Sequence, residues 1–230
     1  MQALLYDIHG NLPALEAVLG DADAEGAERW LLGGDYAAFG GWPAEVVARL
    51  RELDDAVWIR GNADRWLRDD SDVPTDSPVP AALDACREVL GATLVAELAG
   101  LPEQWRDGEQ LFCHASPRND MESFAAAGDD GADRRLLGTT EADRVVFGHT
   151  HIAFLRGGPD GVELVNPGSV GIPLDGDVRA SYALIHDDGS VEHRRVRYDH
   201  EAAAEGVVTR FGGAPWTATF ARRIRTARFD

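Results

Sequence analysis

"QALLYDIHGNLPALEAVLGDA", from Gln2 to Ala22, decides the fold. Gln2 to Tyr6 is a short apolar run that reads as a buried strand, and Asp7-Ile8-His9-Gly10 interrupts it with polar residues. From Leu12 the apolar residues recur at three- and four-residue steps, with Pro13 where a first helical turn accepts proline. The unit then recurs: "RWLL" (29–32) leads to the helix-like "WPAEVVARLREL" (42–53) and on to "AVWI" (56–59). A β-α-β-α-β order implies parallel strands covered by helices.

Two further strands are expected at "QLFC" (110–113) and "RVVF" (144–147). The Asp/Pro/Ser-rich stretch from Asp69 to Pro80 reads as an exposed loop, and "AALDACREVLGATLVAEL" (81–98) as a helix. Beyond Val145 the pattern changes. "IAFLRGGPDGVELVNPGSVG" (152–171) reads as a hairpin turned by Gly157–Gly161, and "SYALIHDDGSVEHRRV" (181–196) as another turned at Asp187–Ser190. A second, mostly antiparallel sheet is the expectation. "HEAAAEGVVTRF" and "PWTATFARRIRTARF" read as one or two helices, so residues 1–230 form a single domain with 199–230 as a helical extension.

With 230 residues, 44% of them hydrophobic, the chain can bury a sizeable core. Its formal charge is −18 and every one of its 22 basic side chains is arginine, which argues against long nucleic acid as a partner because phosphate neutralisation needs a positive surface. A small phosphate ester is not excluded, since a metal ion can outweigh surface charge locally. Two cysteines are too few for a disulfide framework. No apolar run approaches the roughly 20 residues that cross a bilayer, and the opening residues carry no signal-peptide pattern, so no membrane partner and a cytoplasmic location are expected.

Chemistry-bearing residues stand at successive strand ends. "LLYDIHG" offers Asp7 and His9, "LLGGD" Asp35, "VWIRGNAD" Asn62 and Asp64, "LFCHA" His114, and "VVFGHTH" His149 and His151. In open α/β sheets the ligand crevice lies beyond the carboxyl ends of the strands, so pairing the strands brings these residues together. Each alone is more often a turn, a cap or a structural histidine. The same event at five strand ends, with nitrogen and oxygen donors and no set of thiolates, points to Mn, Fe or Zn, and seven ligands suggest two ions.

In order and type, "DIHGN" (7–11), "GGD" (33–35), "GNAD" (61–64), "CHASP" (113–117) and "GHTH" (148–151) resemble the motifs of the calcineurin-like metallophosphoesterases. "NPGSVG" (166–171) is similar to the small prokaryotic phosphodiesterase branch. The resemblance implies an α/β fold, a four-layer α/β/β/α sandwich of two mixed sheets, around two divalent ions, Mn favoured over Fe, Ni, Co or Zn. It implies that Asp7, His9 and His151 hold one ion, that Asn62, His114 and His149 hold the other, and that Asp35 bridges them. A bridging hydroxide would attack phosphorus in a small phosphate ester or nucleotide, with Arg118 as a candidate to neutralise charge.

Many relatives carry Gly-Asn-His in the third motif, where the histidine protonates the leaving group; this chain has Ala63. General acid help is commonly worth ~10²–10⁴-fold, so phosphodiesters, the substrates of small relatives that also lack this histidine, are favoured over monoesters. Asp64 is left as a possible acid. "GGDYAAFGG" departs from the Gly-Asp-x-x-Asp-Arg-Gly of protein phosphatases. Tyr36, Phe39 and Trp42 are candidates for a base or aryl pocket, with Tyr36 nearest the ligands, although aromatic residues here more often pack. Cys113 reads as an inert buried thiol, His186, His193 and His200 as surface residues, and "RRIRTAR" (222–228) as a partner for the chain's own carboxylates. The competing readings are a phosphomonoesterase, a non-enzymatic scaffold of the kind a retromer subunit makes from this fold, and a nuclease. A homodimer is the expectation by analogy with small relatives.

Overall fold

The computed structural model describes residues 1–229. Strand β1 (Gln2–Leu5) is buried along its whole length because both of its faces are covered. Ala3 and Leu5 pack under helices, while Leu4 and the following Tyr6 enter a smaller core between two sheets. This is the two-residue alternation of a strand, with apolar surface on each side.

Helix α1 (Leu12–Ala24) follows, capped by Asn11, whose side chain accepts the Ala14 N–H, and leads to β2 (Arg29–Leu32). Helix α2 (Pro43–Leu50) then leads to β3 (Ala56–Trp58). β1, β2 and β3 are parallel neighbours, as the β-α-β-α-β pattern requires. Gly20 sits exposed inside α1 with open space around its Cα. Gly20→Ala is therefore expected to stabilise the protein by about 0.5–1 kcal/mol, read as a higher urea midpoint at unchanged slope.

A short helix α3 (Asn62–Trp66) and a longer one, α4 (Val79–Ala99), connect to the second half. α4 is broken at Gly91, whose φ of 71° and ψ of 164° are not helical, so the single helix expected at 81–98 is two segments. β4 (Gln104–Asp107), β5 (Gln110–Cys113), helix α5 (Asp130–Leu137) and β6 (Arg144–Val146) come next. β7 (Phe154–Gly157) and β8 (Glu163–Asn166) form the first expected hairpin, and β9 (Ala180–Ile185) and β10 (Val191–Val196) the second. Helices α6 (His200–Phe211) and α7 (Pro215–Thr226) end the ordered elements.

The strand order is β10-β9-β1-β2-β3 in one sheet and β4-β5-β6-β8-β7 in the other. Both sheets are mixed, which corrects the expectation of a mostly antiparallel second sheet. β5, β6 and β8 are parallel, with antiparallel β4 and β7 at the edges, and the β9–β10 hairpin returns to pair with β1. β9 pairs there because it is apolar on both faces, and all six of its residues are buried.

Phe112, Val146, Val165, Leu31 and Ile59 join Leu4 and Tyr6 between the sheets. Leu111, Cys113, Val145 and Phe147 face outward and are covered by Leu136 of α5. The layers are thus helices, sheet, sheet, helix: a four-layer α/β/β/α sandwich. Cys86 and Cys113 are both buried, and burial pushes the Cys86 thiol up to about 12, so neither is reactive. Among the described residues no helix is long and apolar enough to cross a membrane.

Candidate metal centre

The turns after β1, β2, β3, β5 and β6 meet at one end of the sandwich. Five of the seven candidate ligands have positive φ: Asp7 (54°), His9 (49°), Asp35 (58°), His149 (67°) and His151 (58°). Such conformations cost of order 1–3 kcal/mol each and persist only where surrounding structure enforces them. Here the enforcement is visible. The Asp7 N–H donates to the Gly34 carbonyl (3.1 Å), His9 N–H to Asp35 (2.9 Å) and Gly10 N–H to Tyr36 (2.8 Å), lacing the first two turns together. Ser169 Oγ donates to the Asp7 carbonyl (2.7 Å), and Asn166 Nδ2 donates to the Gly148 carbonyl and to Thr150 Oγ1 (3.0 Å each). The "NPGSVG" segment is therefore the buttress of the first and last turns.

His149 and His151 lie on the loop after β6, so their side chains do not share a strand face. Gly148 is needed there for room: a Cβ would lie 2.6 Å from Asp7 Oδ2.

The imidazoles are oriented by carbonyls, which can only accept. His9 Nδ1 is 3.2 Å from the Ala38 carbonyl, His114 Nδ1 2.9 Å from Gly33 and His151 Nδ1 2.6 Å from Ile172. Each Nδ1 therefore carries the proton, and each Nε2 turns a lone pair inward. Those lone pairs meet other acceptors. The Nε2 atoms of His9 and His151 face each other at 3.1 Å, and Asn62 Oδ1 lies 3.0 Å from His114 Nε2 and 2.8 Å from His149 Nδ1. Facing acceptors repel unless a proton or a cation lies between them.

Carboxylates complete the set. Asp7 Oδ2 accepts the His149 N–H (2.9 Å), whereas its buried Oδ1 has no hydrogen-bond partner and lies 3.4 Å from His151 Nε2. Asp35 Oδ2 is 3.5 Å from His114 Nε2 and 3.8 Å from His9 Nε2. Asp7, His9 and His151 each bring a donor within 4.8 Å of the others, and so do Asp7, Asp35 and His114. An orphaned buried oxygen among inward lone pairs is what a divalent cation would satisfy, and the residues fit that group.

For His9 and His149 the protonation balance agrees. Burial, then His151, holds the His9 imidazole well below its ordinary value, and burial, then His114, brings His149 down to about 4, so both stay neutral and able to donate a lone pair. Burial alone would raise Asp7, but the imidazoles of His151, His114 and His9 hold it below the usual carboxylate range. Burial and the charge of Asp7 push Asp35 up. Burial would lower His151, but the adjacent Asp7 carboxylate outweighs it and raises the imidazole.

Asp64 is a positioning residue. It is buried, its Oδ2 accepts the N–H groups of Asp35 (2.7 Å) and Gly61 (2.9 Å), and its Oδ1 accepts that of Tyr36 (3.2 Å). Burial, with Asp35 next, pushes it up to about 7 against those three donors. Both oxygens are occupied and it does not line the cavity over the donors, so it is not within reach of a leaving group. Its spacing to Asn62 was visible in sequence; its task was not.

The two expected substrate contacts are corrected. Tyr36 is fully buried, and its hydroxyl is held by the carbonyls at the ends of β2 and β3, 2.7 Å from Leu32 and 2.6 Å from Ile59. Arg118 has half of its side chain (53%) exposed and pairs with Glu122 at 3.0 Å along the surface. Neither lines the cavity of about 140 Å³ over the donors, which Arg223 and Phe39 do. Trp42 packs instead on Gly206 of α6, where a Cβ would meet its ring at 2.1 Å.

His193 is also not a surface residue. Its strand partner Ala183 belongs to the core between the sheets, so His193 faces the same way and its Nε2 reaches the Asn166 carbonyl (2.8 Å). His186 and His200 are half-buried.

A family model described as the calcineurin-like phosphoesterase superfamily domain matches residues 2–190. An uncharacterised protein of Methanocaldococcus jannaschii is 30% identical over 228 residues, 90% of this chain and 92% of that protein. A metallophosphoesterase from Sphaerobacter thermophilus superposes with a TM-score of 0.79 at 27% identity, covering 98% of each chain. A hypothetical protein from Pyrococcus horikoshii superposes with a TM-score of 0.83 at 20% identity, covering 96% of this chain and 98% of that one. A family match over most of the chain, on the two-sheet fold whose turns carry these donors, leaves one assignment: the chain belongs to the calcineurin-like phosphoesterase superfamily.

Proposed function

We propose that this chain hydrolyses small phosphate esters with two divalent ions, Mn²⁺ favoured, and prefers phosphodiesters to monoesters. One observation carries the reading: seven donors from five separate turns converge, with inward lone pairs and a buried Asp7 oxygen that has no partner. In this reading Asp7, His9 and His151 hold one ion, Asn62, His114 and His149 the other, and Asp35 lies between them. When bound, such ions acidify a water and draw charge from phosphate oxygens.

The chain's own residues do the remaining work. The Ala38, Gly33 and Ile172 carbonyls fix three imidazole tautomers, and the Ala63 N–H holds Asp35 Oδ1 at 2.8 Å so that Oδ2 stays turned to the donors. The ionisable groups lining the cavity are His9, Asp35, His149, His151 and Arg223. The first four are committed as ligands and an arginine does not release its proton, so no separate general acid is at hand. That supports esters with good leaving groups and agrees with Ala63, which is buried, at the position where many relatives carry the acid.

The test is hydrolysis of a bis-aryl phosphodiester and the matching aryl monoester by metal-stripped protein reloaded with Mn²⁺. The diester is expected to turn over at least about tenfold faster, with both activities lost in His149→Ala. Equal or faster monoester cleavage would remove the diester preference. No turnover with Mn²⁺, Ni²⁺, Co²⁺ or Fe²⁺ would leave the scaffold reading.

A further inference from the structure

The matched family region ends at residue 190, yet α7 reaches the centre from beyond it. Phe220, Arg223 and Phe229 line the same cavity as His9, Asp35 and Asn62. Arg223 lies over two rings, its guanidinium carbon 5.1 Å from the centroid of Phe220 and 4.2 Å from that of Phe229. A guanidinium is planar and carries its N–H donors in a fork that matches phosphate oxygens.

The aromatic residues are layered. Phe39 tilts over His9 with centroids 5.1 Å apart, and its ring stacks on Phe220 at 4.4 Å with planes within 5°. Those two rings are buried, whereas Phe229 is 70% exposed, the most exposed large apolar side chain described. Its place is set by the backbone: Ala227 ends α7 in a left-handed conformation (φ 50°), and the Gly176 N–H donates to the Ala227 carbonyl (2.9 Å), which folds the tail back over the cavity. Burying an aromatic side chain is favourable, so an exposed ring fixed at a cavity mouth invites a ring to stack on it.

We propose that the C-terminal segment is the substrate-recognition element: Arg223 contacts the phosphate, and Phe229 stacks on an aromatic group carried by the ester, an aryl ring or a nucleobase. This rests on the phosphoester reading of the centre. It assigns to the C-terminal segment the roles that the sequence offered to Arg118 and Tyr36.

The experiment is calorimetric titration of full-length, Mn²⁺-loaded protein, with released phosphate assayed in parallel so that the heat of binding is separated from turnover. The probes are methyl phosphate, phenyl phosphate and thymidine 5′-phosphate, applied to wild type, Phe229→Ala, Phe229→Leu and Arg223→Gln, with metal content measured for each. Wild type is expected to bind at least one aromatic phosphate about tenfold or more tighter than methyl phosphate. Phe229→Ala should erase that ratio, and Phe229→Leu, which keeps apolar area without a π face, should restore only part of it. Arg223→Gln should weaken all three ligands alike, by about tenfold, with metal content and melting temperature unchanged. Preference for phenyl phosphate alone would name an aryl ester; preference for the nucleotide alone, a nucleotide.

Equal affinities in wild type, a ratio that survives Phe229→Ala, or Arg223→Gln binding as wild type would overturn the proposal while diester hydrolysis by the same preparation upholds the phosphoester reading. Wild type that holds no metal and cleaves neither ester would sink that reading, and this one with it.

Discussion

Asp35→Asn should lower kcat for a bis-aryl phosphodiester by about 10³-fold in Mn²⁺-reloaded protein and reduce the metal retained after desalting. Asp35 Oδ1 accepts the Ala63 N–H at 2.8 Å, and Oδ2 lies within 4 Å of both His9 and His114. In asparagine, the Ala63 N–H demands the oxygen, since the buried donor would otherwise go unpaired. The amide NH₂ must then occupy the position of Oδ2. Two donor hydrogens would face the imidazole lone pairs where an acceptor had been, and one negative charge would be gone from the centre. The fold should survive, because the shape is kept. A matched melting temperature would assign the loss to the site. Metal content and kcat within tenfold of wild type would show that Asp35 is not a ligand.

Gly61→Ala is expected to destabilise the protein by about 3 kcal/mol or more and to abolish diester cleavage. Gly61 is extended (φ −93°, ψ 176°), a conformation open to any residue, so backbone preference plays no part. Space decides. A Cβ would lie 2.1 Å from Asp35 Oδ1 and 2.6 Å from the Asp35 backbone nitrogen. Neither can yield easily, since Asp64 clamps the Asp35 and Gly61 N–H groups together. Moving the chain apart would pull Asn62 from Asp35 and separate donors assigned to the two ions. Urea unfolding should show a lower midpoint at unchanged slope. Gly213→Ala is the control, because nothing lies within 4 Å of that position and its φ is not positive. A midpoint like that of the control would refute the close-packing account.

Much of the fold was legible because periodicity is local. β1, β2, β3, β5 and β6 announced themselves as apolar runs, and the two hairpins by their Gly/Asp turns. β4 (QWRD) and α5 (DGADRRLL) were missed because an edge strand and a surface helix hide little apolar area, leaving a weak pattern. The interruption of α4 at Gly91 was also missed, since a lone glycine inside a helical pattern does not reveal its φ.

The candidate donors and the turns that carry them are legible in the sequence: Asp7 and His9, Asp35, Asn62, His114, His149 and His151 can be named before any coordinates. Strand-end motifs survive reading because residue type and spacing express the chemistry directly. What the other residues do depends on long-range packing. It turned Tyr36 into the core, set Arg118 on the surface, made Asp64 a clamp on three backbone donors, and brought Arg223 and Phe229 over a centre more than 70 residues away in the chain. It also sent β9 and β10 back to the first sheet. These outcomes depend on which long-range partner satisfies a buried polar group or covers an apolar face, and that competition is settled by packing across the whole molecule.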